Sequence, residues 1–173
     1  AKAMCNLGAK LDELGRGKEA LEAYAEMRRT FGEDGDPEMI FYVGWGMGDA
    51  ADTEIRLFSA DKADGKTGLA LSWMANEFGE IAARHAGATD EGARRGVSRM
   101  LCSRINLLVN AGENEEAMAV CDAMVDEYRD DAHIDIRHFV AGALSVRCAD
   151  LFAKADRPRA LAAHNRFLEL FGD

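Results

Sequence analysis

The sequence predicts an all-α fold, an α-α superhelix in which antiparallel helix pairs stack as a right-handed solenoid. Three observations predict it. Apolar residues recur every three to four positions along most of the chain, the spacing of one helix face. One segment occurs in three copies in register, the signature of a repeat architecture. Pro37 and Pro158 are the only prolines, so long helices go uninterrupted.

The first element is a helix with Met4, Leu7, Leu11 and Leu14 on its apolar face. Gly15 closes it, because glycine takes the left-handed conformation that ends a helix at little strain. Lys18 to Thr30 form the second helix, with Ala20, Leu21, Tyr24, Met27 and Phe31 turned inward. The turn between them is too short for anything except an antiparallel pair.

The middle segment starts a helix at Asp36-Pro37-Glu38: a cap, proline at the first position and an acid near the positive end. The apolar run Met39–Val43 leads into Gly44-Trp45-Gly46-Met47-Gly48-Asp49. Three glycines inside a helix lose up to about 3 kcal/mol relative to alanine. The expectation is therefore either one enlarged helix or, preferably, a break near Gly48–Asp49. A turn at Asp64-Gly65-Lys66 would then join it to an amphipathic helix within Leu69–Ala83, with Leu71, Met74, Phe78 and Ile81 in register.

Beyond the middle, Gly112–Met118 repeats Gly15–Leu21 at an offset of 97, pairing Cys5 with Cys102, Leu11 with Leu108, Tyr24 with Cys121 and Phe31 with Tyr128. Near the C-terminus, Leu151, Ala160, Leu161, His164, Phe167 and Phe171 match Leu11, Ala20, Leu21, Tyr24, Met27 and Phe31. The domain reading is a single unit over 1–173, with repeats at about 1–36, 37–88 (degenerate), 89–131 and 132–173. The chain opens at Ala1 inside a helical pattern, without an initiator Met, and so reads as a piece of a longer protein.

Asn6-Leu7-Gly8, Gly15, Glu19-Ala20-Leu21 and Tyr24 together resemble the tetratricopeptide repeat consensus. Met4, Leu11 and Gly32 stand where that family usually has Trp, Tyr and Pro. The last two copies are 43 residues apart, against about 34 in the family. The extra length falls in Asp90–Ser98 and Ala132–Phe139, so the first helices there should be longer than usual. The resemblance implies a concave groove, lined by the first helix of each repeat, that carries a protein or peptide. Transferred position by position, it selects Asn6 and Asp12 from the first copy, Arg99, Ser103, Asn106 and Asn110 from the third, and Phe152 from the fourth. The family's chaperone-binding members clamp a terminal carboxylate at positions held here by Cys5, Ala9, Cys102, Asn106, Ser145 and Ala149. Of these only Asn106 fits such a clamp.

A formal net charge of −10 repels a phosphate backbone and disfavours nucleic acid. No apolar run approaches the length of a membrane span and no signal peptide opens the chain, so neither a membrane nor export is expected. Cys5, Cys102, Cys121 and Cys148 form no CxxC pair and sit in helical patterns, as small buried thiols of a reducing, cytoplasmic compartment do.

No constellation points firmly to chemistry, so no catalytic, cofactor-binding or metal-binding residue is assigned. Ala60-Asp61-Lys62-Ala63-Asp64-Gly65-Lys66-Thr67 fits a permissive phosphate-loop pattern after Ile55–Phe58, which would have to be a strand. Asp61 and Asp64 would repel a phosphate there, and an ordinary turn is favoured. Gly44-x-Gly46-x-Gly48 lacks dinucleotide-loop spacing. His133 and His138 are five apart, not the four of a helical zinc pair, and with Asp135 read as a charged helix start. His85 and His164 are isolated; His164, in the place of Tyr24, should pack inside. Arg94, Arg95, Arg99 and Arg104 form either a stripe paired with nearby acids or a dock for an acidic group.

The function expected is thus a non-catalytic scaffold for a protein or peptide partner. The second expectation is a sensing or self-association domain of a larger regulator, homo-oligomeric through apolar faces such as Phe167 and Phe171. The third, a nucleotide-binding enzyme, rests on the phosphate-loop lookalike alone.

Overall fold

A computed structural model describes residues 1–60 and 67–171. Among them the chain is entirely helical, with eight helices and no strand: α1 (Lys2–Glu13), α2 (Gly17–Phe31), α3 (Pro37–Ala60), α4 (Thr67–Arg84), α5 (Glu91–Ala111), α6 (Asn114–Tyr128), α7 (Ile134–Ala153) and α8 (Arg157–Phe171). The expected turn at Asp64-Gly65-Lys66, and with it most of the phosphate-loop lookalike, lies outside the described residues.

Local chemistry sets the helix boundaries. Asp36 caps α3 by accepting from the N–H groups of Glu38 (2.8 Å) and Met39 (3.3 Å). Asp90 does the same for α5 through Gly92 (2.8 Å) and Ala93 (3.2 Å). The turns that follow α1, α5 and α7 share one geometry. In each, a backbone N–H reaches back five residues: Arg16 to Leu11 (2.9 Å), Glu113 to Leu108 (2.9 Å) and Asp156 to Leu151 (3.0 Å). The residue before each donor is left-handed: Gly15 (φ 74°), Gly112 (φ 87°) and Ala155 (φ 57°). The long first helices are present too, at 21 residues in α5 and 20 in α7 against 12 in α1.

The glycines of the middle segment do not break the chain, contrary to expectation: α3 runs continuously over 24 residues. They are tolerated because α3 is squeezed from two sides. Gly44 faces Gly96 of α5 across a backbone-to-backbone crossing; a Cβ at Gly44 would lie 2.5 Å from Gly96 Cα, and one at Gly96 would lie 2.9 Å from Phe41 Cα. One turn on, a Cβ at Gly48 would meet Arg99 Cζ at 2.8 Å. Gly46, on the opposite face, lets Met27 of α2 approach, its Sδ 3.1 Å from where a Cβ would stand. Close packing replaces what helix propensity loses.

This crossing changes the stacking. α3 packs most extensively on α5, and α4 also leans on α5, while α3 and α4 barely touch. The other sequential partners, α1 with α2, α5 with α6 and α7 with α8, pack directly on each other. The main core lies between the layers, around Val43, Met47, Leu71, Phe78, Met100, Leu108, Met124 and Ile136. The odd-numbered helices adjoin in order, α1 to α3 to α5 to α7, whereas the even-numbered ones make no backbone approach to one another among the described residues.

The two ends differ from the sequence reading. Leu7 and Leu14 are exposed, because α1 has neighbours only in α2 and α3 and buries Cys5 and Gly8 instead. At the other end Phe167 and Phe171 are not open apolar faces; they pack on the core, with the Arg137 guanidinium 5.4 Å from the Phe171 ring centre. His164 is exposed rather than packed inside, since the α8 backbone packs on α7 alone and Leu161, His164 and Leu168 face outward.

Candidate functional site

The residues selected from sequence all project from odd-numbered helices, so the candidate site is the face those helices form. Their side chains meet different fates. Asn6 and Asn110 are exposed, and Asn110 donates to the Asn106 carbonyl at 2.8 Å. Asn106 is half-buried beside it, and Phe152 stands exposed near the end of α7. Asp12 is tied up in an ion pair with Arg56 of α3. Arg99 bridges to Asp52 at 2.8 Å and Asp49 at 3.5 Å, both on α3. Ser103 is 1% exposed and its hydroxyl has no partner, so it faces the interior rather than the surface.

Cross-helix ion pairs therefore run along the whole face. Asp12–Arg56 joins α1 to α3, Asp49 and Asp52 with Arg99 join α3 to α5, and Arg95–Asp135 (2.5 Å) joins α5 to α7. The basic stripe is satisfied internally: Arg94 pairs with Asp131 and Arg104 with Glu116 (2.5 Å). Its carboxylate partners are the protein's own, so the stripe is a set of cross-braces and not an open dock for an acidic group.

An aromatic cluster sits under these braces, and position transfer missed it. Phe41 and Trp45 lie one turn apart on α3 with ring centres 4.8 Å apart, and Trp45 meets Phe139 of α7 edge-on at 5.9 Å. The Arg95 guanidinium covers Phe41 (4.8 Å) and Trp45 (5.5 Å), and that of Arg99 covers Phe139 (5.7 Å). The signal was present in the i, i+4 spacing of Phe41, Trp45 and Asp49. It went unused because the middle segment could not be aligned to the repeat.

The remaining candidates carry little chemistry. Burial lifts the thiols of Cys5 and Cys121 to about 11 and about 12, so neither is a poised nucleophile. Cys102 and Cys148 are raised as well, again chiefly by burial. His133 caps α7 by accepting from the Asp135 N–H at 3.1 Å, while the Asp135 carboxylate serves Arg95. No group of three or more His, Cys, Asp or Glu side chains among the described residues could hold a metal ion. Ile55–Phe58, which a phosphate loop would need as a strand, is helix.

The opposite layer is open where the even-numbered helices splay. A groove of 290 Å³ between α2 and α4 is lined by Tyr24, Met47, Trp73 and Phe78. Another of 360 Å³ between α4 and α6 is walled largely by alanines, including Ala82, Ala86 and Ala123. A third of 420 Å³ between α6 and α8 is rimmed by Asp122, Asp126, Arg147 and Arg166. No helix is long and apolar enough to cross a membrane among the described residues. No protein-family model, curated protein or solved structure matches the chain.

Proposed function

We propose that this chain is a cytoplasmic, non-catalytic, tetratricopeptide-like scaffold that holds a protein or peptide against its odd-helix face. One observation carries the reading: odd-numbered helices adjoin while even-numbered ones splay. A two-layer stack with one closed and one open layer curls with the closed layer inside, which makes the odd-helix face the concave one. Cross-helix ion pairs along that face hold its side chains in fixed relative positions before any partner arrives, and preorganisation lowers the ordering cost of binding. Asn6, Asn106 and Phe152 offer uncommitted side chains there, and Asn110 keeps its amide oxygen free while donating to the Asn106 carbonyl; Asp12, Arg99 and Ser103 act as frame.

The test is selection of binding peptides from a random display library against the full chain, followed by two blocking substitutions. Asn106→Trp, on the odd-helix face, should abolish binding of the selected peptides, and Glu80→Trp, exposed on α4, should leave it intact. The reverse pattern would move the site to the grooves between even-numbered helices and reject the proposal.

A second reading, self-association within a larger regulator, is favoured by Leu161 and Leu168, two turns apart on α8 and 59% and 50% exposed. Sedimentation equilibrium separates the two: a monomer at high concentration removes this reading. No nucleotide chemistry is part of the proposal.

A further inference from the structure

Each odd-numbered helix after the first seats against both helices of the pair before it: α3 on α1 and α2, α5 on α3 and α4, α7 on α5 and α6. The repeat register shows which residues make such a seat. On α5, Met100 and Leu107 are fully buried, and Arg104 lies over Gly79 of α4, where a Cβ would stand 2.7 Å from its guanidinium carbon. One turn beyond Leu107, the Ala111 carbonyl oxygen lies 3.9 Å from where a Cβ would stand at Gly68 of α4. Met100, Arg104, Leu107 and Ala111 therefore mark the stripe that docks α5 on the preceding pair.

The same stripe is present on α1. At the offset of 97 its residues are Ala3, Leu7, Lys10 and Leu14, which share one helix face. All four are exposed, Leu7 at 54% and Leu14 at 63%. Among the described residues α1 packs only on α2 and α3, the helices that follow it.

The opposite end carries the matching seat. α6, which receives α7, buries Met118, Cys121 and Val125. At the offset of 43 their counterparts on α8 are Leu161, His164 and Leu168. All three face outward, because among the described residues no further helix lies against α8. One chain thus exposes both halves of the contact that its own repeats make internally. A peptide ligand would account for one half; a second copy accounts for both.

We propose that copies of this chain associate end to end, α1 of one copy seating against α7 and α8 of the next. Leu7 and Leu14 leave water together with Leu161 and Leu168, which supplies the driving force. The contact is heterologous: an assembled chain keeps a free stripe at one end and a free seat at the other. The rise of the stack keeps the step from closing into a ring, so growth has no stopping size. The row of odd-numbered helices continues from copy to copy and extends the proposed binding face. The inference rests on the self-association reading above and gives it a geometry.

The experiment is sedimentation velocity of the full chain over a concentration series. Wild type should grow past the dimer without a plateau. Leu7→Glu and Leu161→Glu, each at an exposed position, should each weaken association about tenfold or more, since a leucine buried at the contact becomes a charge. Mixed together, the two variants should form a one-to-one dimer that grows no further, because each keeps the half that the other lacks. Leu69→Glu, which removes an exposed leucine of α4 outside both faces, should assemble as wild type does. A thermal melt checks that each variant is folded, and Leu14→Glu with Leu168→Glu repeats the test at a second pair of exposed positions.

A wild-type chain that stays monomeric at every concentration would remove self-association altogether, and this inference with it. Assembly that stops at a dimer, or that survives Leu7→Glu, would keep self-association and overturn the end-to-end contact. So would failure of the two variants to pair when mixed, or weakening by Leu69→Glu equal to that by Leu7→Glu.

Discussion

Gly44→Ala puts the backbone crossing of α3 and α5 to the test. The added Cβ would stand 2.5 Å from Gly96 Cα, where ordinary contact begins at 3.4 Å. Both colliding groups are main chain, so no side chain can swing aside, and the helices must separate by about 0.9 Å. A gap of that size forfeits a quarter or more of the dispersion contact across it. Ile40, Val43, Met47, Val97 and Met100 are buried in or beside this interface, and each is worth about 1.5–3 kcal/mol when fully buried. A quarter of that total is about 3 kcal/mol, in line with measured overpacking penalties of roughly 1–3 kcal/mol. Alanine returns up to about 1 kcal/mol of helix propensity, so the net loss is about 2 kcal/mol. For a chain of this length that lowers the melting temperature by about 4–8 °C, read by circular dichroism. Gly142→Ala in α7 is the internal comparison. Its Cβ would meet only Cys102 Sγ at an ordinary 3.7 Å, so it should stabilise by about 0.5–1 kcal/mol. Equal gains from both substitutions would refute the claim that Gly44 is required by close approach.

Ala155 holds a left-handed conformation that glycine holds at the equivalent turns. Ala155→Gly should therefore raise stability by about 0.5–1 kcal/mol, measured by urea unfolding, while Gly112→Ala should lower it by about 1 kcal/mol. Alkaline pH should destabilise the fold. Burial raises the Cys5 and Cys121 thiols from 9.0 to about 11 and about 12, so the native state holds those protons longer than the unfolded chain does. Their contribution is complete below pH 9 and is lost as pH climbs towards 11–12, which melts across that range will show. Arg99→Ala strips the half-buried Asp49 of its partner and uncovers Phe139; a loss of about 2 kcal/mol is expected. Arg56→Ala, at an exposed pair, should lose under about 1 kcal/mol in the same denaturation assay.

The helices were legible because their signals are local. Asp36 and Gly15 act on neighbouring backbone groups, and the sequence names both without tertiary information, with Gly112 following as the repeat of Gly15. The glycines of α3 were misjudged for the opposite reason. Propensity penalises Gly44, Gly46 and Gly48, while the compensation comes from Gly96, Met27 and Arg99 on other helices, which no window over the chain contains. Leu7, Leu14 and His164 follow the repeat pattern but lie on end helices with no further neighbour to bury them. Transferred positions selected residues of the odd-numbered helices, where the proposed site lies; among them Asp12 and Arg99 are held in ion pairs with α3 and Ser103 is buried, contacts that no single window of the sequence contains. The aromatic cluster depends on how α3 sits between its neighbours.

The central claim, that the odd-helix face receives the partner, is tested most directly by hydrogen–deuterium exchange of the full chain with and without a selected peptide. Binding should slow exchange in α3 and α5, over residues 41–56 and 95–110, and leave α4 and α6 unchanged. Protection confined to α4 and α6, with none on α3 or α5, would contradict it.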